Sequence, residues 1–151
     1  MIRTEWYDGK KNPDYTEIHA IRRKVFIEEQ GVSGEEEMDS TDGSAVHLLV
    51  QDGQKPVATG RMLVADGLCM LGRVAVMQEE RGKGYGDLVM RMLIRRAFEE
   101  GYDTQYIHAQ VQARGFYEKL GFVACGDEFD EAGIPHISMR RQGDVTGPCG
   151  C

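Results

Sequence analysis

The stretch EERGKGYGD, residues 79–87, places three glycines at alternate positions just before a helical run. The glycines are Gly82, Gly84 and Gly86. A helix N-terminus carries unpaired N–H groups and a partial positive charge, and glycines there remove the Cβ atoms that would keep an anion off the backbone. A tight strand-to-helix turn without a ligand needs only one glycine. Three of them beside Arg81 and Lys83 therefore favour a phosphate-binding loop.

Two common phosphate-binding patterns do not fit this stretch. The P-loop pattern GxxxxGK[ST] is absent from the chain, which disfavours nucleotide hydrolysis. A dinucleotide-binding turn needs GxGxxG, whereas this chain has GxGxG after runs that predict an antiparallel meander. A Rossmann site is therefore disfavoured as well.

The length and charge of the chain limit its class. It has 151 residues, a formal charge of −7 and four cysteines without a CxxC pair. This length is typical of one domain, and a nucleic-acid partner would require clustered cations. No run is long enough to span a bilayer, and the N-terminal residues lack the apolar core of a signal peptide. We expect a cytoplasmic protein that binds neither nucleic acid nor membrane.

Hydrophobic periodicity predicts a mixed α/β or α+β sheet with helices on its faces. The predicted elements are a helix over 15–30 capped by Asp14, strands over 45–52, 55–64 and 68–76, a helix over 85–100, a strand over 104–111, a helix over 113–121, and strands over 122–129 and 134–141. The tail 142–151 has no periodicity and is expected to be disordered. Its two thiols, Cys149 and Cys151, are too few for a closed metal site.

Several motifs, in order along the chain, resemble the GCN5-related N-acetyltransferase (GNAT) superfamily. The loop RGKGYG at 81–86 matches the signature R/Q-x-x-G-x-G/A, and ARGFYEKLGF at 113–122 is similar to a segment that ends in F-Y-x-K-x-G-F. The segments RRKVFIEEQ, HAQ and DEAGIPHISM resemble the ElaA-type branch. The resemblance implies a GNAT acyl-CoA N-acyltransferase fold over residues 1–141, with a mixed, mostly antiparallel sheet that is split near Val76.

The resemblance also implies the cosubstrate, acetyl-CoA, and its contacts. The loop amides would bind the pyrophosphate, and the main chain of the preceding strand would pair with the pantetheine arm. An amide on the next strand would bond the pantetheine or the closing strand. The implied contact residues are Val74, Ala75, Val76, Arg81, Gly82, Lys83, Gly84, Tyr85, Gly86 and Gln110.

Acetyl transfer to an amine requires a neutral amine, a donor to the oxyanion and a proton for the thiolate. Neutralising a lysine-like amine at pH 7 costs roughly 4.6 kcal/mol, so a base is useful. The resemblance assigns Tyr117 as the acid or thiolate stabiliser. The candidates for the base are Glu28, Glu29, His47 and His136. His19 and His108 are expected to be structural, and the histidines show no metal-ligand spacing.

The predicted reaction is direct attack of a primary amine on acetyl-CoA in a ternary complex. Two alternatives stay open: a CoA-binding regulatory or interaction protein without turnover, and a nucleotide-phosphate binder that ATP would occupy as well as CoA. The acceptor is a small-molecule or peptide amine, and polyamines, amino sugars, aminoglycosides, peptide N-termini and protein lysines all remain open. The resemblance is compatible with a homodimer that shares edge strands. No metal is expected.

Overall fold

The structure, a computed structural model, describes residues 1–11, 14–34 and 40–145. The strands are β1 (Ile2–Asp8), β2 (Val46–Asp52), β3 (Lys55–Ala65), β4 (Leu68–Val76), β5 (Thr104–Gln110), β6 (Val123–Ala124), β7 (Phe129–Glu131) and β8 (Ile134–Gln142). The helices are α1 (Thr16–Arg22), α2 (Tyr85–Glu99) and α3 (Arg114–Glu118). A π-helical segment over Arg23–Glu29 continues α1, and 3-10 turns occupy Ser40–Ser44, Gln78–Glu80 and Val111–Ala113.

The eight strands form one sheet in the order β1-β2-β3-β4-β5-β8-β6, and β7 also pairs with β8. The pair β4–β5 is parallel, and the other strand pairs are antiparallel. The parallel pair forms because α2 crosses over from the end of β4 to the start of β5. The prediction of a mixed, mostly antiparallel sheet flanked by helices is confirmed.

Helices cover the two faces of the sheet. The apolar side of α2, which includes Val89 and Leu93, is fully buried against the larger core cluster. The α1 residues Ile18 and Ile21 are buried in a second cluster with Leu49 of β2. The residues on either side of Leu49 belong to the larger cluster, and successive strand side chains point to opposite faces. The sheet is therefore buried on both faces, with α1 on one and α2 on the other.

The first predicted helix, over 15–30, forms at nearly the predicted residues, but only its first half is α-helical. Tyr15, not Asp14, occupies the N-cap position, but Asp14 accepts hydrogen bonds from the N–H of Thr16 at 3.1 Å and from its hydroxyl at 2.6 Å, so it still binds the start of α1. The second half is π-helical and ends at Glu29, and Gln30 separates it from Gly31, whose φ is +76°. A π-helical segment has one more residue per hydrogen-bonded ring than an α-helix, which hydrophobic periodicity does not reveal.

Near the C-terminus the structure differs from three predicted boundaries. The strand expected over 122–129 is two short strands, because β6 pairs with residues 139–140 of β8 while β7 pairs with residues 134–136. Helix α3 is shorter than the predicted 113–121. Residue 142 belongs to β8, and the N–H of Gly143 bonds the carbonyl of Asp103 at 2.7 Å, so order extends into the expected tail. Cys149 and Cys151 lie outside the described residues.

The N-terminal strand β1 was not predicted. It pairs with β2 over its whole length and forms one edge of the sheet. Its sequence, IRTEWYD, is mostly polar, so it has no hydrophobic run that would mark a strand.

Candidate active site

Strand β4 contains a β-bulge just after its pairing with β5 ends. The parallel pairing of the two strands ends at Leu71 and Ile107, and we call this point the apex. On the other side of β4, Gly72 faces Arg61 and Ala75 faces Thr59, so two β4 residues lie opposite one residue of β3. The first of them, Arg73, has a φ of +50°. A bulge bends its strand and increases the local twist, and the sheet therefore opens at the apex, five residues before the predicted position at Val76.

Beyond the bulge, the main chain of β4 faces an open cleft. The N–H of Met77 bonds the carbonyl of Val57 on β3 at 2.9 Å. Because strand residues alternate in the direction of their main-chain groups, the N–H and C=O groups of Ala75 also point toward β3. The main-chain groups of Val74 and Val76 therefore point away from β3, into the region where β5 no longer pairs with β4.

The glycine loop connects this open strand to the N-terminus of α2. Gly82 and Gly84 have φ values of +82° and +87°, which only glycine adopts without strain. The first helical hydrogen bond runs from the N–H of Leu88 to the carbonyl of Gly84 at 3.0 Å. The N–H groups of residues 84–87 therefore have no partner within the helix. The φ of Gly86 is not left-handed, and a Cβ there would lie 3.5 Å from the Phe116 ring, in ordinary van der Waals contact.

Both loop cations are ion-paired. The Arg81 guanidinium donates to both oxygens of Glu29, at 2.6 and 2.8 Å, and to the carbonyl of Val76 at 3.1 Å. Lys83 contacts Glu80 at 2.8 Å. The hydrogen bonds from Arg81 hold the pKa of Glu29 below its ordinary value. Glu29 is thus a weak candidate for the base, and it links the end of the first helical run to the loop.

Tyr117 lines the cleft. The cleft has a volume of about 870 Å³ and is lined by the open part of β4, the loop, the end of β5 and α3. The ring of Tyr117 packs edge-on against Phe116 and Phe122, with centroid distances of 5.0 and 5.9 Å. Burial raises the pKa of Tyr117 to about 12. Its O–H is therefore intact at neutral pH and can donate a hydrogen bond within the cleft.

Gln110 lies at the end of β5, across the cleft from the open strand. Its amide nitrogen donates to the side-chain oxygen of Gln30 at 2.8 Å, and its oxygen accepts from Gln112 at 2.6 Å. Gln30 follows the π-helical segment directly. The amide thus connects β5 to the first helical run.

A group that the sequence analysis did not identify lies near the apex. Nδ1 of His108, a residue expected to be structural, is 2.9 Å from Oε1 of Glu131. The other carboxylate oxygen is 3.7 Å from Nε2 of His136. These three residues and Arg73 all line the cleft. The hydrogen bond with His108 lowers the pKa of Glu131 despite its partial burial, and the charges of His108, His136 and Arg73 act in the same direction.

The hairpin β7–β8 provides the signal that would have identified this group. The two-residue turn Ala132-Gly133 has φ values of +56° and +77°, typical of a tight hairpin. In the β7–β8 register, residues 129 and 131 lie opposite residues 136 and 134. In the β5–β8 register, residues 108 and 110 lie opposite residues 138 and 136. Residues two apart on a strand share a face. His108, Glu131 and His136 therefore share one face of the sheet.

The remaining base candidates lie outside the cleft. His47 is fully buried, with Nε2 3.1 Å from the carbonyl of Asp42, and burial lowers its pKa. Glu28 pairs with Lys24 on the exposed side of the helical run at 3.7 Å. His19 contacts Asp42 at 3.3 Å, as befits a structural residue. Of the four candidates, His136 alone lines the cleft.

Asp42 is the centre of a buried charge cluster beneath the first helical run. Its Oδ1 accepts from Arg22 at 2.9 Å and from Arg61 at 3.0 Å. Burial raises the pKa of Asp42, but these two guanidinium groups outweigh burial and hold it below its ordinary value. The cluster ties α1 to β3, and Arg61 also lines the cleft.

Within residues 1–11, 14–34 and 40–145 no group of three His, Cys, Asp or Glu side chains is arranged to hold a metal ion. In the same residues, no helix combines the length and the apolar character that crossing a bilayer requires.

Comparisons with known proteins agree with this geometry. A family model described as an acetyltransferase (GNAT) domain matches residues 11–142. The uncharacterized N-acetyltransferase YjcF of Bacillus subtilis (strain 168) is 39% identical over 134 residues, which cover 88% of this chain and 96% of that protein. The crystal structure of Escherichia coli ElaA matches with a TM-score of 0.84 at 27% identity, over 94% of this chain and 100% of that one. An acyl-CoA N-acyltransferase from Pseudomonas aeruginosa matches with a TM-score of 0.83 at 27% identity, over 93% of this chain and 99% of that one.

Proposed function

The chain belongs to the GNAT acetyltransferase domain family and is an acyltransferase, and from this premise we propose that it transfers an acetyl group from acetyl-CoA to a primary amine. The transfer is direct, with both substrates bound in one ternary complex. The acceptor is a small-molecule or peptide amine.

The open main chain of β4 and its continuity with the loop carry this proposal. Val74 and Val76 direct main-chain groups toward the cleft, in the manner of a strand that awaits a partner, and the carbonyl of Val76 already accepts a hydrogen bond from Arg81. At the end of that strand, the free N–H groups of residues 84–87 form an anion site at a helix N-terminus. A long ligand with amide groups at one end and a pyrophosphate at the other matches this order, and acetyl-CoA has that chemistry.

The loop contacts follow from the same order. Gly82, Gly84 and Gly86 leave the main chain accessible, and the N–H groups of the loop bind the pyrophosphate. Arg81 and Lys83 supply positive charge beside it from their ion pairs with Glu29 and Glu80. Tyr85 and Ala75 hold the strand and the helix in place, since both side chains are buried. Gln110 borders the pantetheine from the β5 side.

Tyr117 stabilises the leaving sulfur. Its pKa of about 12 lies roughly 3.5 units above that of a cysteine-like thiol, so full proton transfer to the thiolate would cost about 4.8 kcal/mol. Tyr117 therefore acts by donating a hydrogen bond that strengthens as negative charge develops on sulfur. Of the four sequence-based candidates for proton removal from the amine, His136 alone lines the cleft.

Calorimetric titration of acetyl-CoA into three proteins tests the binding part of the proposal. The wild type should bind. Gly86→Glu should weaken binding by roughly 5-fold to 900-fold, because a carboxylate about 4 Å from a phosphate costs roughly 1 to 4 kcal/mol. Leu68→Glu adds the same charge at the other end of β4, at a side chain that is 45% exposed, and should bind like the wild type. Equal binding by all three proteins, or no binding by the folded wild type, would overturn the loop assignment.

Thiol release from acetyl-CoA in the presence of amines tests the catalytic part. The panel consists of spermidine, glucosamine, kanamycin, a peptide with a free N-terminus and N-acetyl-lysine amide. We expect turnover with at least one of these amines and no comparable turnover without amine. Tight acetyl-CoA binding without turnover on any of them would instead support a non-catalytic CoA-binding protein, and equal competition by ATP and CoA would support a nucleotide-phosphate binder.

A further inference from the structure

The hydrogen-bonded pair His108–Glu131 lies where the two arms of the split sheet meet. His108 is the first residue of β5 beyond the last parallel pair, Leu71 with Ile107. Both members of the pair have partly exposed side chains, 41% in each case, and both line the cleft. The pair is therefore accessible from the cleft while its geometry is fixed by β5 and by the β7–β8 hairpin.

The carboxylate selects one tautomer of the His108 ring. An ionised carboxylate only accepts hydrogen bonds, and the pKa of Glu131 is held below its ordinary value, first by the hydrogen bond with His108. Nδ1 therefore carries the proton that is donated to Oε1, and Nε2 of the neutral ring carries a lone pair. The edge-on contact with Phe129, at 5.1 Å between ring centroids, fixes the ring plane. A histidine oriented by a carboxylate in this way is a suitable proton acceptor.

The pair and the glycine loop lie at opposite ends of the open segment of β4. The loop lies at the open end of the cleft, after Val76, and the pair lies at the apex. The open segment of β4 from Arg73 to Val76 spans roughly 10 Å at about 3.3 Å per residue. A chain anchored by its phosphates at the loop and running along β4 would present its far end close to the apex.

We propose that His108 is the catalytic base that accepts a proton from the acceptor ammonium group, and that Glu131 is the residue that positions it. The proposal rests on the proposed acetyl transfer. One proton passes from the ammonium nitrogen to Nε2 of His108, and the lone pair that remains forms the N–C bond at the thioester carbonyl. The C–S bond breaks with its electron pair on sulfur. The second proton lost by the nitrogen ends on that sulfur, and His108 returns its own proton to solvent.

His136 of β8 lies beside Glu131, on the side away from His108. Its Nδ1 lies 2.7 Å from the carbonyl of Ile134 and donates to it. The side chain is mostly buried, with 7% of the residue exposed, and its ring stacks on Phe129 at 6.0 Å. The hydrogen bond to Ile134 fixes the His136 ring beside the pair, with Nε2 3.7 Å from the second carboxylate oxygen of Glu131. The charged groups that face the His108–Glu131 pair are His136 from β8 and Arg73 from β4.

The test compares two nucleophiles that differ in protonation. The first is whichever amine of the five-member panel the wild type acetylates, and the second is methoxyamine, whose nitrogen is already neutral at pH 7. In His108→Gln, we expect kcat with the panel amine to fall by roughly 10² to 10⁴ at pH 7, while kcat with methoxyamine changes less than threefold. The acid limb of the wild-type pH profile should disappear in this variant.

Two further variants separate positioning from folding. Glu131→Gln keeps the size of the side chain but not its charge, and it should lower kcat with the panel amine by about tenfold while KM stays unchanged. His19→Gln removes a histidine outside the cleft and should retain the wild-type pH profile. An unchanged profile in His108→Gln, or an equal loss with both nucleophiles, would overturn the proposal and leave the acetyltransferase function standing. Absence of turnover by the wild type with every panel amine would overturn both.

Discussion

Replacing Gly60 with alanine is expected to destabilise the fold by forcing α2 away from the sheet. Gly60 is the β3 residue opposite the β4 bulge. A Cβ at this position would lie 2.5 Å from Cγ1 of Val89 and 2.8 Å from Cδ1 of Leu93. Both side chains are 0% exposed, so neither can turn toward solvent to make room.

The magnitude follows from the missing space. Carbon atoms pack best at about 3.5 to 4.0 Å, so α2 must retreat by roughly 1 Å or its side chains must leave their rotamers. Such overpacking costs about 1 to 3 kcal/mol. For a domain of this size, the corresponding drop in Tm is roughly 2 to 12 °C.

Urea unfolding monitored by circular dichroism measures the change, with Gly72→Ala as the matched control. Gly72 lies in β4 beside the same bulge, its φ is not left-handed, and a Cβ there meets no atom within 4 Å. Alanine at this position should leave stability unchanged or raise it by about 0.4 to 1 kcal/mol, because it reduces the entropy of the unfolded chain. If Gly60→Ala proves as stable as Gly72→Ala at equal m-values, the close packing of α2 on β3 is refuted.

Three other perturbations have defined outcomes. Tyr117→Phe should lower kcat roughly 10²-fold with little change in KM, because the phenol assists only the leaving sulfur; steady-state kinetics that show a change in KM alone would contradict this. Two guanidinium groups hold the pKa of Asp42 below its ordinary value, although burial opposes this shift. The ionised carboxylate therefore stabilises the fold above an unfolded-state pKa of about 3.9. This contribution is lost as pH falls through the folded-state pKa. Asp42→Asn should therefore cost roughly 3 kcal/mol at pH 7 and flatten the acid side of the stability curve, which denaturation at a series of pH values will measure. Burial raises the pKa of Cys69 to about 12, so iodoacetamide at pH 8 should spare Cys69 and label the exposed Cys125. Peptide mass spectrometry measures the labelling, and a labelled Cys69 in the native protein would disprove its burial.

The features that could be predicted from sequence are those encoded by neighbouring residues. The phosphate loop is a local pattern, and the left-handed φ values of Gly82 and Gly84 are the physical reason for it. The long helices and hairpins follow from periodicity and turn residues. The open β4 main chain was predicted only through the resemblance, and its exact start was not. The bulge at Arg73 depends on what lies opposite, Gly60 packed under α2, and no property of the β4 sequence alone reveals that contact.

The residues near the apex were missed for a related reason. His108 and Glu131 are 23 residues apart, and they meet only because β8 pairs with β5 on one side and with β7 on the other. A prediction of both registers, based on the Ala132-Gly133 turn, would have placed the two residues on one face. Glu29 is the converse case. The sequence offers it as a candidate base, but in the structure its carboxylate is bound by Arg81 of the loop.

The open side of β4 amounts to an edge strand in the interior of a sheet. Exposed edges normally invite pairing with the strands of other chains, which leads to aggregation. Here the main-chain groups that point away from β3 lie in a cleft whose walls are β5 and α3, so a slender chain can reach them and a second polypeptide with full side chains would meet those walls first. The fold thus retains a strand-pairing surface for one kind of occupant while shielding it from its neighbours in solution.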